Sequence, residues 1–171
     1  MMRIGHGFDV HQLVAERPLL LGGVAIDYPL GLLGHSDADV LLHAICDGLL
    51  GALGAGDLGH HFPDSDPAYA GSDSRELLRQ VVRLMHKRDY RLVNLDATLL
   101  CQQPKLAPYI PRMVKRIAAD CRCTGEQINI KATTTEKLGF TGRGEGIAAH
   151  AVVLLQRDES RIAARRAAVL S

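Results

Sequence analysis

Between Val40 and Gly56 the chain carries its longest apolar run, interrupted by His43 and Asp47. No stretch reaches the roughly 18 uncharged apolar residues of an ordinary transmembrane helix. The run therefore belongs in the core of a soluble protein. At helical periodicity Val40, Leu41, Ala44, Ile45, Leu49 and Leu53 fall on one side. A Gly-rich turn from Gly31 to Ser36 precedes it, so a long helix is predicted from Asp37 or Asp39 to about Leu53. The 171 residues suit one domain and a sizeable core. With 4% aromatics and no Trp, that core is built of Leu, Val, Ile and Ala.

Other elements follow from alternation and punctuation. Arg3 to His11 reads as a strand with Ile4, His6, Phe8 and Val10 alternating on one face. Leu19 to Ile26 is a second extended piece, broken at Gly22-Gly23. Asp57 to Gly71 is a loop rich in Gly, Pro and Asp. Ser72-Asp73-Ser74 then caps a helix lasting to about Arg88. Strands at Arg91 to Cys101, Gln127 to Thr134 and Ile147 to Gln156 flank a helix at Pro108 to Asp120. This order predicts an α+β fold, a mixed β-sheet with helices on one face. With no repeat or long linker, residues 1–157 form a single domain. The tail, 158–171, is Arg-rich and reads as a solvated or frayed helix.

Lys and Arg number 20 against 19 Asp and Glu, a net charge of +1. That balance argues against nucleic acid as partner, while leaving room for a local anion site. The opening MMRIGHGFDVH has no apolar signal region. Four cysteines without a C-x-x-C pair are too sparse for a disulfide scaffold, so Cys46 and Cys101 read as small buried apolar residues. A reduced, cytoplasmic protein is expected.

Four groups of residues carry chemistry. Asp9 and His11 leave one strand face together, and Gly5 and Gly7 precede them there, leaving that face open for a ligand. Asp39, His43 and Asp47 form a polar stripe on the apolar helix, offering a histidine and carboxylates to orient its ring. If helix and strand pack, Asp9, His11 and His43 give two nitrogens and one oxygen, three donors with a fourth position open, as in catalytic zinc sites. Gly34-His35-Ser36-Asp37 lies at a helix start, where backbone N–H groups favour an anion, and it fits equally a loop with good capping residues. Thr133, Thr134, Thr135, Glu136 and Lys137, followed by a Gly-rich stretch to Gly146, could hold phosphates and a divalent ion. By spacing alone they equally fit a Thr-rich edge strand and a turn, and no Walker A loop is present. His60-His61 beside Asp57, Asp64 and Asp66 could form a rival metal cluster, but adjacent loop histidines point in different directions and solvent exposure is expected.

Six stretches together resemble the 2-C-methyl-D-erythritol 2,4-cyclodiphosphate synthases. They are GHGFDVH (Gly5 to His11), GHSDADVLLHA (Gly34 to Ala44), FPDSDP (Phe62 to Pro67), DSRELL (Asp73 to Leu78), QPKLAPYIP (Gln103 to Pro111) and KATTTEKLGFTGRGEGIA (Lys131 to Ala148). No cytidylyltransferase segment precedes Arg3, so the monofunctional form is expected. The resemblance implies cyclisation of 4-diphosphocytidyl-2-C-methyl-D-erythritol 2-phosphate with release of CMP, in non-mevalonate isoprenoid synthesis. It implies zinc on Asp9, His11 and His43, and Mg²⁺ or Mn²⁺ on Glu136. His35 and Thr134 take the transition-state role.

The same resemblance gives Asp57, Leu58, Gly59, Phe62, Pro63, Asp64, Ser65 and Asp66, with Ser36, to the methylerythritol-phosphate pocket. Cys101, Gln102, Gln103, Pro104, Lys105, Leu106 and Ala107 go to the cytidine pocket. Asp9, Val10, His11, Thr133, Thr135, Phe140 and Arg143 complete the substrate set. A homotrimer with active sites between subunits is implied, around a cavity where relatives take isoprenoid diphosphates. The rival expectations are a zinc-dependent phosphohydrolase and a trimeric isoprenoid-diphosphate-binding protein.

Overall fold

The structure, a computed structural model, describes residues 1–63 and 71–169. Its frame is a five-stranded sheet. Strands β1 (Met2–Val14), β4 (Gly31–Leu32), β5 (Tyr90–Leu100), β6 (Ile128–Thr133) and β7 (Gly146–Arg157) lie in the order β4-β1-β7-β5-β6. Three pairings are antiparallel and β5–β6 is parallel, so the sheet is mixed as expected. A separate hairpin joins β2 (Leu19–Leu21) to β3 (Val24–Ile26). Gly22 and Gly23 turn it with φ of 58° and 70°, a conformation that glycine adopts without strain.

Helix α1 (Val40–Leu53) packs on β1 and β7. Its cap is Asp39, which accepts from the Leu42 N–H at 3.1 Å, and it ends at Gly54 in the left-handed conformation. Asp39 is wholly buried, and it also accepts from the N–H groups of Gly22 and Gly23 at 2.9 and 2.6 Å. One carboxylate thereby starts the helix and fastens the hairpin to it. Helix α3 (Ser74–Lys87), capped by Asp73, buries Leu77, Leu78, Val81, Val82 and Met85. Helix α4 (Ile110–Cys121) lies beside α3 and β6. Arg75 and Arg79 of α3 bond Asp120 of α4 at 2.7 and 3.1 Å. The short helices α2 (Leu58–His61) and α5 (Gly139–Gly142) fall in segments read as loops, and α6 (Glu159–Val169) occupies the tail. Among the described residues no helix is long and apolar enough to cross a membrane.

The face of β1 bearing Gly5 and Gly7 is closed, contrary to expectation. A Cβ on Gly5 would collide with the Gly48 carbonyl, and one on Gly7 with that of Ala44. The missing side chains make room for the helix rather than for a ligand. Ala44, Gly48 and Ala52 give α1 a small-residue stripe facing them. Space opens only beyond, at Asp9 and His11, where α1 begins. The opposite face carries the apolar alternation outward: Ile4 is 72% exposed, Phe8 47%, Val10 42% and Val152 39%.

Candidate active site

The strand–helix contact sets the site. β1 runs past α1 in the opposite direction, so Asp9 and His11 arrive at the helix start beside His43. Asp9 Oδ2 lies 3.0 Å from His11 Nε2 and 3.0 Å from His43 Nδ1, and the two imidazole nitrogens are 3.2 Å apart. A tetrahedral zinc with bonds of about 2.0–2.1 Å separates its donors by about 3.3 Å. Two nitrogens and an oxygen at these spacings fit that ion. Among the described residues this is the one cluster of three such donors.

Each ring is aimed from behind. His11 Nδ1 bonds the Leu33 carbonyl at 2.7 Å, leaving the Nε2 lone pair for the metal side. His43 Nε2 lies 2.9 Å from Ser74 Oγ, whose hydroxyl donates to Asp37 Oδ1, so Ser74 accepts from His43 and Nδ1 is left free. Asp37 also receives the Ser74 N–H at 3.1 Å. The orienting groups are thus Ser74 and Asp37, not the stripe carboxylates. Asp39 is committed to its cap, and Asp47 accepts from the Leu58 N–H at 2.7 Å, fastening α2. Nothing in the spacing of Ser74 announced this. It sits 31 residues from His43 within a segment legible only as a helix cap.

Burial pushes the Asp9 carboxyl up, but hydrogen bonds from His11 and His43 and their charge outweigh it and hold it well below the usual carboxylate range. Burial opposes protonation of His11, and Asp9 with the Leu33 carbonyl overcomes it, so its pKa is raised. Burial also pushes Asp47 up. Val10 points to the opposite face, and its N–H donates to Asp9 Oδ1 at 2.8 Å.

The triad opens into a cleft of about 280 Å³, lined also by His35, Ser36, Asp47, Leu58, Gly59 and Phe62. Arg17 holds the His35 loop, donating to the Gly34 and Ser36 carbonyls, both at 2.8 Å. Near the start of α1, where an anion site is expected, the chain itself takes up three N–H groups. The N–H groups of Ala38, Asp39 and Leu42 go to Ser36, Asp37 and Asp39. Asp57 caps α2 through the His60 N–H, so its carboxylate serves structure here. His60 is exposed, while His61 is half-buried and bonds the Ala55 carbonyl at 2.7 Å; their rings diverge by 86°. Asp64, Ser65 and Asp66 lie outside the described residues.

A second cleft, about 240 Å³, gathers Cys101, Gln102, Lys105, Leu106 and Ala107 with Thr133 and Thr134. Parallel pairing explains it: the loops leaving β5 and β6 emerge at one end, and the Cys101 N–H bonds the Thr133 carbonyl at 2.9 Å. Burial pushes the Cys101 thiol up to about 11, so it is a neutral lining group. Beyond β6, Glu136 and Lys137 hold φ of 52° and 65°, two successive non-glycine residues in the left-handed region. There Thr134 Oγ1 donates to Glu136 Oε1 at 2.8 Å. Thr135 bonds the Leu138 carbonyl and Thr141, and Arg143 pairs with Glu145 at 2.7 Å. The two clefts have no lining residue in common.

A mixed-sheet α+β domain bearing a two-histidine, one-carboxylate metal cradle beside a polar cleft defines the class. The chain belongs to the YgbB family, whose model matches residues 2–156. It is 67% identical over 157 residues to the 2-C-methyl-D-erythritol 2,4-cyclodiphosphate synthase of Syntrophotalea carbinolica, covering 92% of this chain and 96% of that one. To the synthase of Geobacillus kaustophilus it is 64% identical, over 92% and 100% of the two chains. Among solved structures, IspF from Plasmodium falciparum in a CDP complex superposes with a TM-score of 0.82 at 35% identity, over 92% and 97%. Bifunctional IspDF from Campylobacter jejuni gives 0.89 at 43%, over 92% of this chain but 42% of that longer one.

Proposed function

We propose that the chain converts 4-diphosphocytidyl-2-C-methyl-D-erythritol 2-phosphate to 2-C-methyl-D-erythritol 2,4-cyclodiphosphate and CMP, acting as a phosphorus–oxygen lyase in isoprenoid synthesis. The observation that carries this reading is the Asp9–His11–His43 cradle opening on the cleft of His35 and Ser36, in a chain 60–67% identical to synthases of that name. An oxygen of the 2-phosphate forms a bond to the β-phosphorus, the bond from that phosphorus to the bridging oxygen of the α-phosphate breaks, and CMP leaves with the electron pair. The nucleophile is already ionised, so the chain supplies position and charge rather than a base.

Asp9, His11 and His43 would hold a zinc ion, which would supply Lewis acidity to the reacting phosphates. His35, carried on the loop held by Arg17, faces the reacting phosphates, and Thr134 donates to them. Glu136 would hold Mg²⁺ or Mn²⁺, which would supply charge neutralisation to the diphosphate, and Cys101 to Ala107 would hold the cytidine. We read residues 1–157 as the catalytic domain and α6 as an appendage to it.

Two further observations support a homotrimer with shared sites. The clefts of one chain share no lining residue, and the outer face of β1 and β7 exposes Ile4, Phe8, Val10 and Val152. A neighbour's second cleft would then complete each metal cleft. Incubation with the diphosphocytidyl substrate and Mg²⁺ tests the reaction: CMP and the cyclic diphosphate are expected, and a linear methylerythritol diphosphate would establish a phosphohydrolase instead. Co-expressing His43→Ala with Thr134→Ala/Glu136→Ala tests the sharing. Random trimers pair intact halves at about a quarter of interfaces, and activity should recover to about that fraction. Stable mixed trimers without activity would overturn the shared site.

A further inference from the structure

On the outer face of β1 and β7 two histidines stand among exposed apolar side chains. His6 of β1 and His150 of β7 stand diagonally across the antiparallel ladder, beside the pairs His6↔Val152 and Phe8↔His150. His6 Nε2 and His150 Nδ1 are 3.1 Å apart. The ring planes are inclined by 29° with 5.3 Å between centroids, and the Phe8 ring packs against His150 at 4.7 Å. Ile4, Phe8, Val10 and Val152 share the exposed face around them.

We propose that His6 and His150 form a second divalent-metal site, distinct from the Asp9–His11–His43 cradle. The spacing of the two facing nitrogens repeats the 3.2 Å between the imidazole nitrogens of that cradle. Both rings project from a continuous ladder running from Met2↔Gln156 to Gln12↔Gly146, so the scaffold is rigid, and Phe8 limits rotation of His150. The two imidazoles form a nitrogen-only donor set. Such a set favours Cu²⁺, Ni²⁺ or Zn²⁺ over Mg²⁺ or Ca²⁺, which want oxygen. The site uses no residue of the proposed reaction and stands or falls separately from it.

The test is a titration of the zinc-loaded protein with Ni²⁺ by calorimetry and with Cu²⁺ by electron paramagnetic resonance. Parent protein, His6→Gln, His150→Gln and a control His60→Gln are compared. The parent and the control should take up one further ion per chain, with a Cu²⁺ spectrum showing nitrogen ligation. Each of the other two variants should bind it at least tenfold more weakly, with triad zinc unchanged by elemental analysis. Equal binding in all four proteins, loss in only one of the two variants, or no uptake by the parent would overturn the site and leave the contact an imidazole–imidazole hydrogen bond. A drop in triad zinc in His6→Gln or His150→Gln would also count against two separate sites.

Discussion

The two clefts are built on different principles. Asp9, His11 and His43 come from a strand and a helix that meet through backbone contact, and their rings are fixed by groups as distant as Leu33 and Ser74. Thr134, Thr135 and Glu136 come from one segment, and their bonds run mostly to near neighbours within a tight turn. The metal cradle is therefore a property of the whole core, whereas the threonine–glutamate turn is a property of about ten residues. Damage to the core should abolish the first, and damage to the second should leave the fold untouched.

The harshest break is Gly7→Val. The added side chain meets the Ala44 backbone, which cannot move aside, so α1 must lift from β1. A loss of about 3 kcal/mol or more is expected in the denaturation midpoint, together with loss of bound zinc. A Gly7→Val protein with parental stability would show that the close approach is dispensable. Next comes His43→Ala, which should lose most metal and activity while retaining the parental circular dichroism and midpoint to within about 1–2 kcal/mol. Full zinc by elemental analysis would remove His43 from the cradle.

Glu136→Gln sharpens the contrast from the other side. Zinc and stability should match the parent, while turnover becomes weak and no longer responds to Mg²⁺. Retention of the parent's Mg²⁺ dependence would free Glu136 of its role. The smallest effect is that of Ser74→Ala, which leaves every metal donor in place and removes only the group that aims His43. Zinc affinity in a chelator competition should fall about 10- to 100-fold, with partial recovery in Ser74→Thr. Unchanged affinity would mean that the strand–helix contact alone sets the ring.

Much of this was legible before the structure. The polar stripe on an apolar helix singled out His43, the period of two placed Asp9 and His11 together, and the α+β order followed from alternation. The failures share a cause. The glycines of β1 read as open space because spacing cannot say whether an absent side chain faces a ligand or a helix. The ring-orienting role went to nearby carboxylates because a 31-residue separation leaves no local pattern. In both cases the deciding contact is tertiary. The turn after β6 was more transparent, being local, yet its consecutive left-handed residues gave no sign in their type: glutamate and lysine rarely adopt that conformation.

The order of strands has a consequence in time. All three donors of the Asp9–His11–His43 cradle lie within the first 43 residues, yet β1 pairs along most of its length with the last strand, Met2 against Gln156. During synthesis the strand bearing Asp9 and His11 waits, with that edge unpaired, until nearly the whole chain has left the ribosome. Contacts so distant in sequence form slowly. A fragment ending before Gly146 would contain all three ligands and the helix that packs over them, and still lack the neighbour that holds them in register.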